Sequence, residues 1–393
     1  MKILHITTVI HPYLNNFIRE ESLKEVVNVL VITKDGRPGK DFIKKNLVVT
    51  YIRGDTSNFV CSKDESLCRD VLAHINHEKP DVVNFQYCIG IDILSIMEEL
   101  VHRGIKMVTF LHDHFLYCPR VTNLNNKENI CTGAFHSCSS CCIYDYFSKK
   151  TGLTPDYWVS RKKMTAIKIM SLFDAVICPS HSLKNKLDGL FPWFKDKTVV
   201  RYSGVKKYGC KRRIIRGIKT IGYCGSVTYQ KGIDYFLEAF DRACRQRDIN
   251  LLLAIRRPEP KTFNKVYKII RRNPRIQFMW DVPYEKIYSK FYRRIDLLVI
   301  PSIFQEPGPL VLWEAFVHGI PVLVPEIDSI VEKVKVGVNA LVFKYKSSPD
   351  LEKQIKYAVD KFPFCFDDSS NWYTPMKQHV SEIRKLYRTT NIC

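Results

Sequence analysis

Two glutamates, Glu306 and Glu314, and an upstream lysine, Lys231, are the side chains best suited to hold a charged, hydroxyl-rich ligand. An apolar run, Leu297 to Ile300, reads as a buried strand. A polar loop, Pro301 to Pro309, follows it and carries Glu306. An apolar-periodic helix then runs from about Leu310 to His318 with Glu314 inside it. Gly319 stops that helix, and a second buried strand begins at Pro321. A carboxylate among Leu310, Val311, Leu312, Trp313, Ala315, Phe316 and Val317 is costly unless it finds hydrogen-bond donors, and ribose hydroxyls would be such donors. Glu306 lies at the carboxyl end of a strand, the edge where open α/β sheets bind ligands. Backbone amides from Gly308 through Leu310 and Val311 open the helix and form an anion seat. The plainer alternative is that Glu306 caps the helix and Glu314 is a solvated face residue.

Further upstream, TIGYCGS runs as a strand into Gly225 and Ser226, followed by Lys231-Gly232 and an amphipathic helix, Ile233 to Cys244. Small residues after the strand let a ligand approach the backbone. Lys231 near a helix start can neutralise a diphosphate; it can equally be an ordinary surface lysine. In the first half, VTFLHDHF puts His112 where a buried strand ends, placed to donate to a sugar hydroxyl or a developing charge. The insertion 117–148 carries Cys118, Cys131, Cys138, Cys141 and Cys142. Cys138 and Cys141 have CxxC spacing, and Cys118 and Cys131 complete a four-thiolate set for structural zinc; a redox pair and packing thiols are the competing readings.

These residues need a scaffold. The 393 residues are more than one ordinary core, so two domains are expected. The first half alternates β-branched strands (2–8, 26–33, 82–86, 106–111, 175–179, 198–202) with helices (63–77, 91–103, 155–172). The second half repeats this with strands at 250–255, 275–280, 296–301, 321–324 and 340–343. The expected fold class is α/β, two doubly wound parallel-sheet domains. The expected boundaries are 1–205, a linker at 206–217, a second domain at 218–371, and a C-terminal helix, 372–393, packing back on the first domain.

The formal charge of +21 implies polyanionic partners: phosphate, nucleic acid or an acidic membrane surface. The aromatics sit inside apolar strands and helices rather than between the basic runs, which disfavours nucleic acid. MKILHITTVI reads as a short buried strand rather than a signal peptide, and no apolar run reaches spanning length, so a cytoplasmic location is expected, with peripheral membrane contact as an option. The 14 cysteines are then expected to be reduced or metal-bound. There is no GxxxxGK[ST] loop and no Ser-His-Asp signature.

With these motifs in view, the second half resembles the family-4 retaining glycosyltransferases of the GT-B fold (glycosyl transferases group 1). The carrying residues are Gly225-Ser226 with Lys231-Gly232, Pro301-Ser302 with Glu306-x7-Glu314-Ala315, Gly319-Ile320-Pro321-Val322, and EKVKVGVNALVF from Glu332 to Phe343. In the first half LHDHFLYCPR and the later cysteines look like a subset of the same family. The resemblance implies two Rossmann-like domains facing a cleft, with a nucleotide-sugar donor bound mainly by the C-terminal one. It implies Lys231 on the donor diphosphate, Glu314 on the ribose, Glu306 near the donor sugar, and His112 reaching the sugar from the other domain. Transfer would go to a hydroxyl of a glycan or glycan-lipid acceptor with retention, and no metal or other cofactor would be required for catalysis. Departures from the family are Ser226 in place of a frequent arginine, His11 to Asn16 in place of a glycine-rich loop, and Ile255-Arg256-Arg257-Pro258 in place of a GxG. An inactive scaffold of the same fold, a nucleotide-sugar epimerase and a basic nucleic-acid-binding protein are the alternatives.

Overall fold

The computed structural model describes residues 1–34, 46–54, 64–118, 120–131, 138, 154–207, 215–256, 258–364 and 372–389. The chain divides into two compact units, Met1–Gly204 with Met376–Cys393, and Val205–Pro375.

In the first unit, strands β1 (Lys2–Thr7), β2 (Val26–Thr33), β3 (Leu47–Arg53), β4 (Val82–Phe85), β5 (Lys106–Phe110), β6 (Ala175–Cys178) and β7 (Thr198–Val200) form one sheet in the order β3-β2-β1-β4-β5-β6-β7. The pairings are parallel throughout. β1 and β4 to β6 are buried almost along their length, which is why they read as continuous apolar runs. β3 escapes the sequence reading because it is an edge strand with a half-exposed pattern and no long apolar run.

The helices joining these strands are α1 (Pro12–Glu21), α2 (Glu65–Glu78), α3 (Ile93–Val101), α4 (Pro155–Leu172) and α5 (His181–Leu190). The segment beginning His11-Pro12 folds as helix α1, with Pro12 in its first turn and the His11 side chain accepting from the Tyr13 amide as its cap. Asp64, Asp92 and Ser180 cap α2, α3 and α5 in the same way. The unit is completed by the helix Met376–Arg388, which buries Val380, Ile383, Leu386 and Tyr387. Its Arg384 and Arg388 converge on Glu25, which also meets the amino terminus at 3.1 Å. Asn84 on β4 donates to the Tyr387 hydroxyl at 2.6 Å.

In the second unit, β8 (Thr220–Ser226), β9 (Asn250–Arg256), β10 (Ile276–Trp280), β11 (Leu297–Val299), β12 (Val322–Pro325) and β13 (Ala340–Phe343) are ordered β10-β9-β8-β11-β12-β13, again parallel. The connecting helices are α6 (Ile233–Cys244), α7 (Pro260–Arg272), α8 (Tyr284–Lys290), α9 (Leu310–Val317), α10 (Asp328–Val331) and α11 (Ser348–Lys361). Phe236 and Phe240 of α6 are wholly buried in the core, each contributing about 1.5–3 kcal/mol of burial.

Both sheets are therefore α/β of the doubly wound kind. In each, the order reverses beside the first strand of the unit, between β1 and β4 in one and between β8 and β11 in the other. Chain connections leave in opposite directions at that point, which opens a place for ligands at the carboxyl ends of the strands.

Candidate functional site

In the second unit the loops at the reversal are 227–232 after β8 and 300–309 after β11, and several contacts lock them together. Gly232 adopts φ +63, and a Cβ there would stand 1.9 Å from the Pro301 carbonyl oxygen. Only glycine allows that approach. The Ile303 amide donates to the Gln230 carbonyl at 2.9 Å. The Tyr235 hydroxyl donates to Pro301 O at 2.6 Å, and the Tyr345 hydroxyl to Ile303 O at 2.7 Å. Between strands, Gly222 leaves room for Ile295 and Phe291, whose side-chain carbons would lie 2.5 Å and 2.8 Å from its Cβ.

This geometry brings Lys231 Nζ to 2.8 Å from Glu306 Oε1. Lys231 ends a short 3-10 turn, Tyr229–Lys231, and keeps about a third of its side chain exposed, whereas Glu306 is buried. The Ser302 hydroxyl donates to the same Glu306 oxygen, and the lysine also lies 5.2 Å from the centre of the Phe304 ring. The cap position of α9 is Pro309 with no side-chain cap, so Glu306 does not cap that helix. Gly308, Leu310 and Val311 are partly exposed at its start. Ser226 ends β8, where its carbonyl accepts the Tyr223 hydroxyl at 2.7 Å; a Cβ on Gly225 would stand 3.2 Å from that hydroxyl.

Glu314 is buried on α9. Its burial raises its pKa, opposed by hydrogen bonds from the Tyr292 and Tyr284 hydroxyls and by the charge of Arg256. Tyr292, itself fully buried, supplies a short hydrogen bond to Glu314 Oε2. So the donors that this carboxylate requires are tyrosines of the same unit. Cys224, at the end of β8, senses the whole group. Burial and Glu314 push its thiol up to about 12, while Arg256 and Lys231 act in the opposite sense. Glu314, Arg256 and Lys231 thus gather around the carboxyl end of β8, with Glu306 paired to Lys231.

Two cations here lie outside the set singled out from sequence. Arg256 ends β9 beside Glu314; its signal was the Arg-Arg pair that replaces a glycine-rich turn. Lys333 is completely buried, donates to the carbonyls of Pro307 (3.3 Å) and Ser329, and meets Glu332 at 3.2 Å. Burial lowers its pKa to about 8, with Glu332 and Glu306 opposing. Its signal was faint, because EKVKVG looks like a solvated basic turn.

His112 lies in the first unit, just past β5. Its Nε2 is 2.7 Å from Gln86 Oε1 and its ring stacks on Tyr87 at 4.1 Å. Burial, with His11 and His379 nearby, holds its pKa well below the usual histidine range, so the ring is neutral. Asp113 beside it is pushed up to about 6 by burial.

Among the described cysteines, Cys68, Cys88, Cys131, Cys178, Cys224 and Cys244 are free thiols. Cys118 and Cys138 are buried and Cys131 is half-buried, all close enough to Lys186 to act on its charge. Lys186 instead donates to the Cys131 carbonyl at 2.6 Å and to Asn123 at 2.9 Å. Among the described residues no group of three His, Cys, Asp or Glu side chains could hold a metal ion; Cys141 lies outside the described residues. No described helix is long and apolar enough to cross a membrane.

Compared with known structures, the chain has the GT-B fold. It is similar to sucrose-phosphate synthase from Thermosynechococcus elongatus (TM-score 0.66, 13% identity, covering 98% of this chain and 95% of that one). It is also similar to Anabaena HepE in complex with UDP-glucose (TM-score 0.62, 15% identity, 100% and 96%). A third likeness is to the catalytic domain of starch synthase IV from Arabidopsis thaliana bound to ADP and acarbose (TM-score 0.63, 11% identity, 99% and 99%). At these identities the likeness is one of fold. Residues 211–364, most of the second unit, match the family model for glycosyl transferases group 1. Among curated proteins it is 28% identical over 218 residues to an uncharacterized glycosyltransferase of Methanocaldococcus jannaschii, covering 51% of this chain and 54% of the relative. The matched stretch thus spans about half the length of that relative. An uncharacterized 42.6 kDa protein of the Klebsiella pneumoniae cps region is 21% identical over 340 residues, covering 85% of this chain and 77% of that protein.

Proposed function

We propose that the protein transfers a sugar, with retention of anomeric configuration, from a nucleotide-sugar donor to a hydroxyl of a glycan or glycan-lipid acceptor. The observation that carries this reading is the gathering of Lys231, Glu306, Glu314 and Arg256 at the strand-order reversal of the family-matched unit. Lys231 is the diphosphate ligand in this reading. About a third of its side chain is exposed, and a diphosphate replaces Glu306 as its counter-ion. The partly exposed start of α9 at Gly308, Leu310 and Val311, together with Gly225 and Ser226 at the end of β8, receives the phosphate oxygens. Glu314 accepts from the ribose hydroxyls, sharing or displacing the Tyr292 hydrogen bond. Glu306, released from Lys231, accepts from hydroxyls of the donor sugar, and His112 is the second sugar contact.

Lysine and backbone amides stabilise the departing diphosphate, so turnover needs no metal. Undiminished activity in a chelator supports that clause, and loss restored by a divalent ion refutes it. HepE, solved with UDP-glucose, supports a nucleotide diphosphate sugar as the donor class. Thermal shift and calorimetry against a panel of nucleotide sugars test the whole reading, since a ligand that binds only the folded state raises the melting temperature. Stabilisation lost in Glu314→Ala and Lys231→Ala is expected, and both variants binding like the parent would refute the site. The net charge of +21 favours docking of the protein on an anionic membrane carrying a lipid-linked acceptor; liposome sedimentation with no preference for anionic lipid would remove that element. The zinc reading of Cys118, Cys131, Cys138 and Cys141 is decided by metal analysis of purified protein, where a folded, metal-free sample ends it.

A further inference from the structure

At the strand-order reversal of the first unit, four side chains form a continuous hydrogen-bonded row. Glu21, at the end of α1, stands 2.7 Å from His5 Nε2. His5 Nδ1 is 3.4 Å from Gln86 Nε2, and Gln86 Oε1 is 2.7 Å from His112 Nε2. His5 and Glu21 are wholly buried and Gln86 nearly so. The backbone fixes each member. His5 pairs with Asn84 across β1 and β4, and the Gln86 amide donates to the Ile6 carbonyl at 2.9 Å.

The row has a direction. A carboxylate only accepts, so His5 Nε2 carries a proton towards Glu21. His5 Nδ1 faces the Gln86 amide nitrogen, which only donates, and is therefore the acceptor. That orients the Gln86 carbonyl towards His112, which must donate from Nε2. A neutral imidazole has one N–H, so His112 Nδ1 is left with a lone pair. Among the described residues Nδ1 makes no hydrogen bond, and Tyr87, Tyr13 and Phe110 hold the ring in place, with centroids at 4.1, 5.4 and 4.8 Å.

We propose that Glu21, His5 and Gln86 are positioning residues that hold His112 in the Nε2–H tautomer, so that its Nδ1 accepts a hydrogen bond from a sugar hydroxyl of the substrate. This rests on the glycosyltransferase reading, and it reverses the role expected from sequence, in which the histidine donates. It also sets a specificity. A hydroxyl at this position is matched, whereas a carboxylate, as in a uronic acid, meets a lone pair and is rejected.

The tautomer is read without turnover, by long-range proton–nitrogen NMR on the full chain labelled at histidine. The expected result is a protonated Nε2 and a bare Nδ1 for His112, assigned with His112→Asn. A proton on Nδ1, or a doubly protonated ring at neutral pH, overturns the proposal. Gln86→Leu removes the acceptor for Nε2–H. It should mix the two tautomers and lower kcat/KM by roughly 2- to 12-fold, the worth of one neutral hydrogen bond, with affinity for free nucleotide diphosphate unchanged. Gln86→Glu keeps an acceptor on His112 Nε2 while taking the donor from His5 Nδ1, and the Nε2–H form of His112 should persist. It serves as the second variant if the leucine form fails to fold; an Nδ1–H ring in that variant overturns the row. Correct tautomer without turnover of any nucleotide sugar would overturn the hydroxyl contact and the enzyme reading together, leaving the tautomer assignment standing.

Discussion

Lys231→Ala is the substitution whose consequence follows most directly from the geometry. Lys231 pairs with Glu306 at 2.8 Å, with 31% of the lysine side chain and 8% of the glutamate side chain exposed. A charge-assisted hydrogen bond to a diphosphate is worth about 1.5–3 kcal/mol. Binding must first break the pair with Glu306, which solvent screening at the lysine keeps to roughly 0.2–1 kcal/mol. The difference, about 0.5–2.8 kcal/mol, corresponds to roughly 2- to 100-fold weaker binding of a nucleoside diphosphate in the alanine variant. Glu306→Gln makes the complementary prediction. It weakens the competing counter-ion, so free nucleoside diphosphate should bind as tightly as in the parent or a few-fold more tightly, while turnover falls. Isothermal titration of parent, single variants and double variant with UDP and ADP measures both. Coupling between the two sites is expected, because they share one contact. Equal affinities in parent and Lys231→Ala, or additive effects in the double variant, would refute the idea that the diphosphate and Glu306 compete for one cation.

Other expectations follow from neighbouring contacts. Tyr292→Phe removes a donor from the buried Glu314 carboxylate and should cost about 1–3 kcal/mol of stability, seen as a lower denaturation midpoint; no change would mean that Tyr284 alone satisfies Glu314. Lys333 has a folded pKa of about 8 against an ordinary 10.5, so the unfolded chain binds the extra proton between those values. The penalty for burying its charge is complete below about pH 8 and fades as the pH rises to 10.5. The parent should therefore gain stability relative to Lys333→Met between pH 7.5 and 10, and a gap independent of pH would contradict the burial argument. Gly232→Ala places a Cβ 1.9 Å from Pro301 O at φ +63, so the Lys231 turn must move away from the Glu306 loop. Weakened nucleotide binding and a lower melting temperature are expected, and wild-type behaviour in both would show that the two loops are not coupled.

Much of the scaffold was legible because parallel strands buried on both faces leave unbroken apolar runs; β4, β5 and β6 are examples. What sequence did not reveal has physical reasons. β3 lies at a sheet edge and lacks the run. Helix α1 begins with His11-Pro12, where a histidine takes the capping role usually given to Ser, Thr, Asp or Asn. The pairing of Lys231 with Glu306 depends on two loops separated by the strands between them, which no local pattern encodes. The apolar neighbours of Glu314 imply that it needs donors, but the residues supplying them, Tyr292 and Tyr284, come from a stretch whose helix has no clear sequence signal. Lys333 was hidden because a lysine in a charged turn is ordinarily solvated, and only the closing of carbonyls around its ammonium removes it from water.

The helix Met376–Arg388 belongs to the first unit although the whole second unit is encoded before it. During synthesis on the ribosome, residues 205–375 are translated while Glu25 still lacks its arginines and Asn84 its tyrosine. The first unit can finish assembling only after that helix emerges, so a nascent chain halted before residue 376 would hold a finished second unit beside an unfinished first. Ribosome stalling there, or a frameshift within codons 376–393, should leave the family-matched unit folded and strip the packing from β4 and α1.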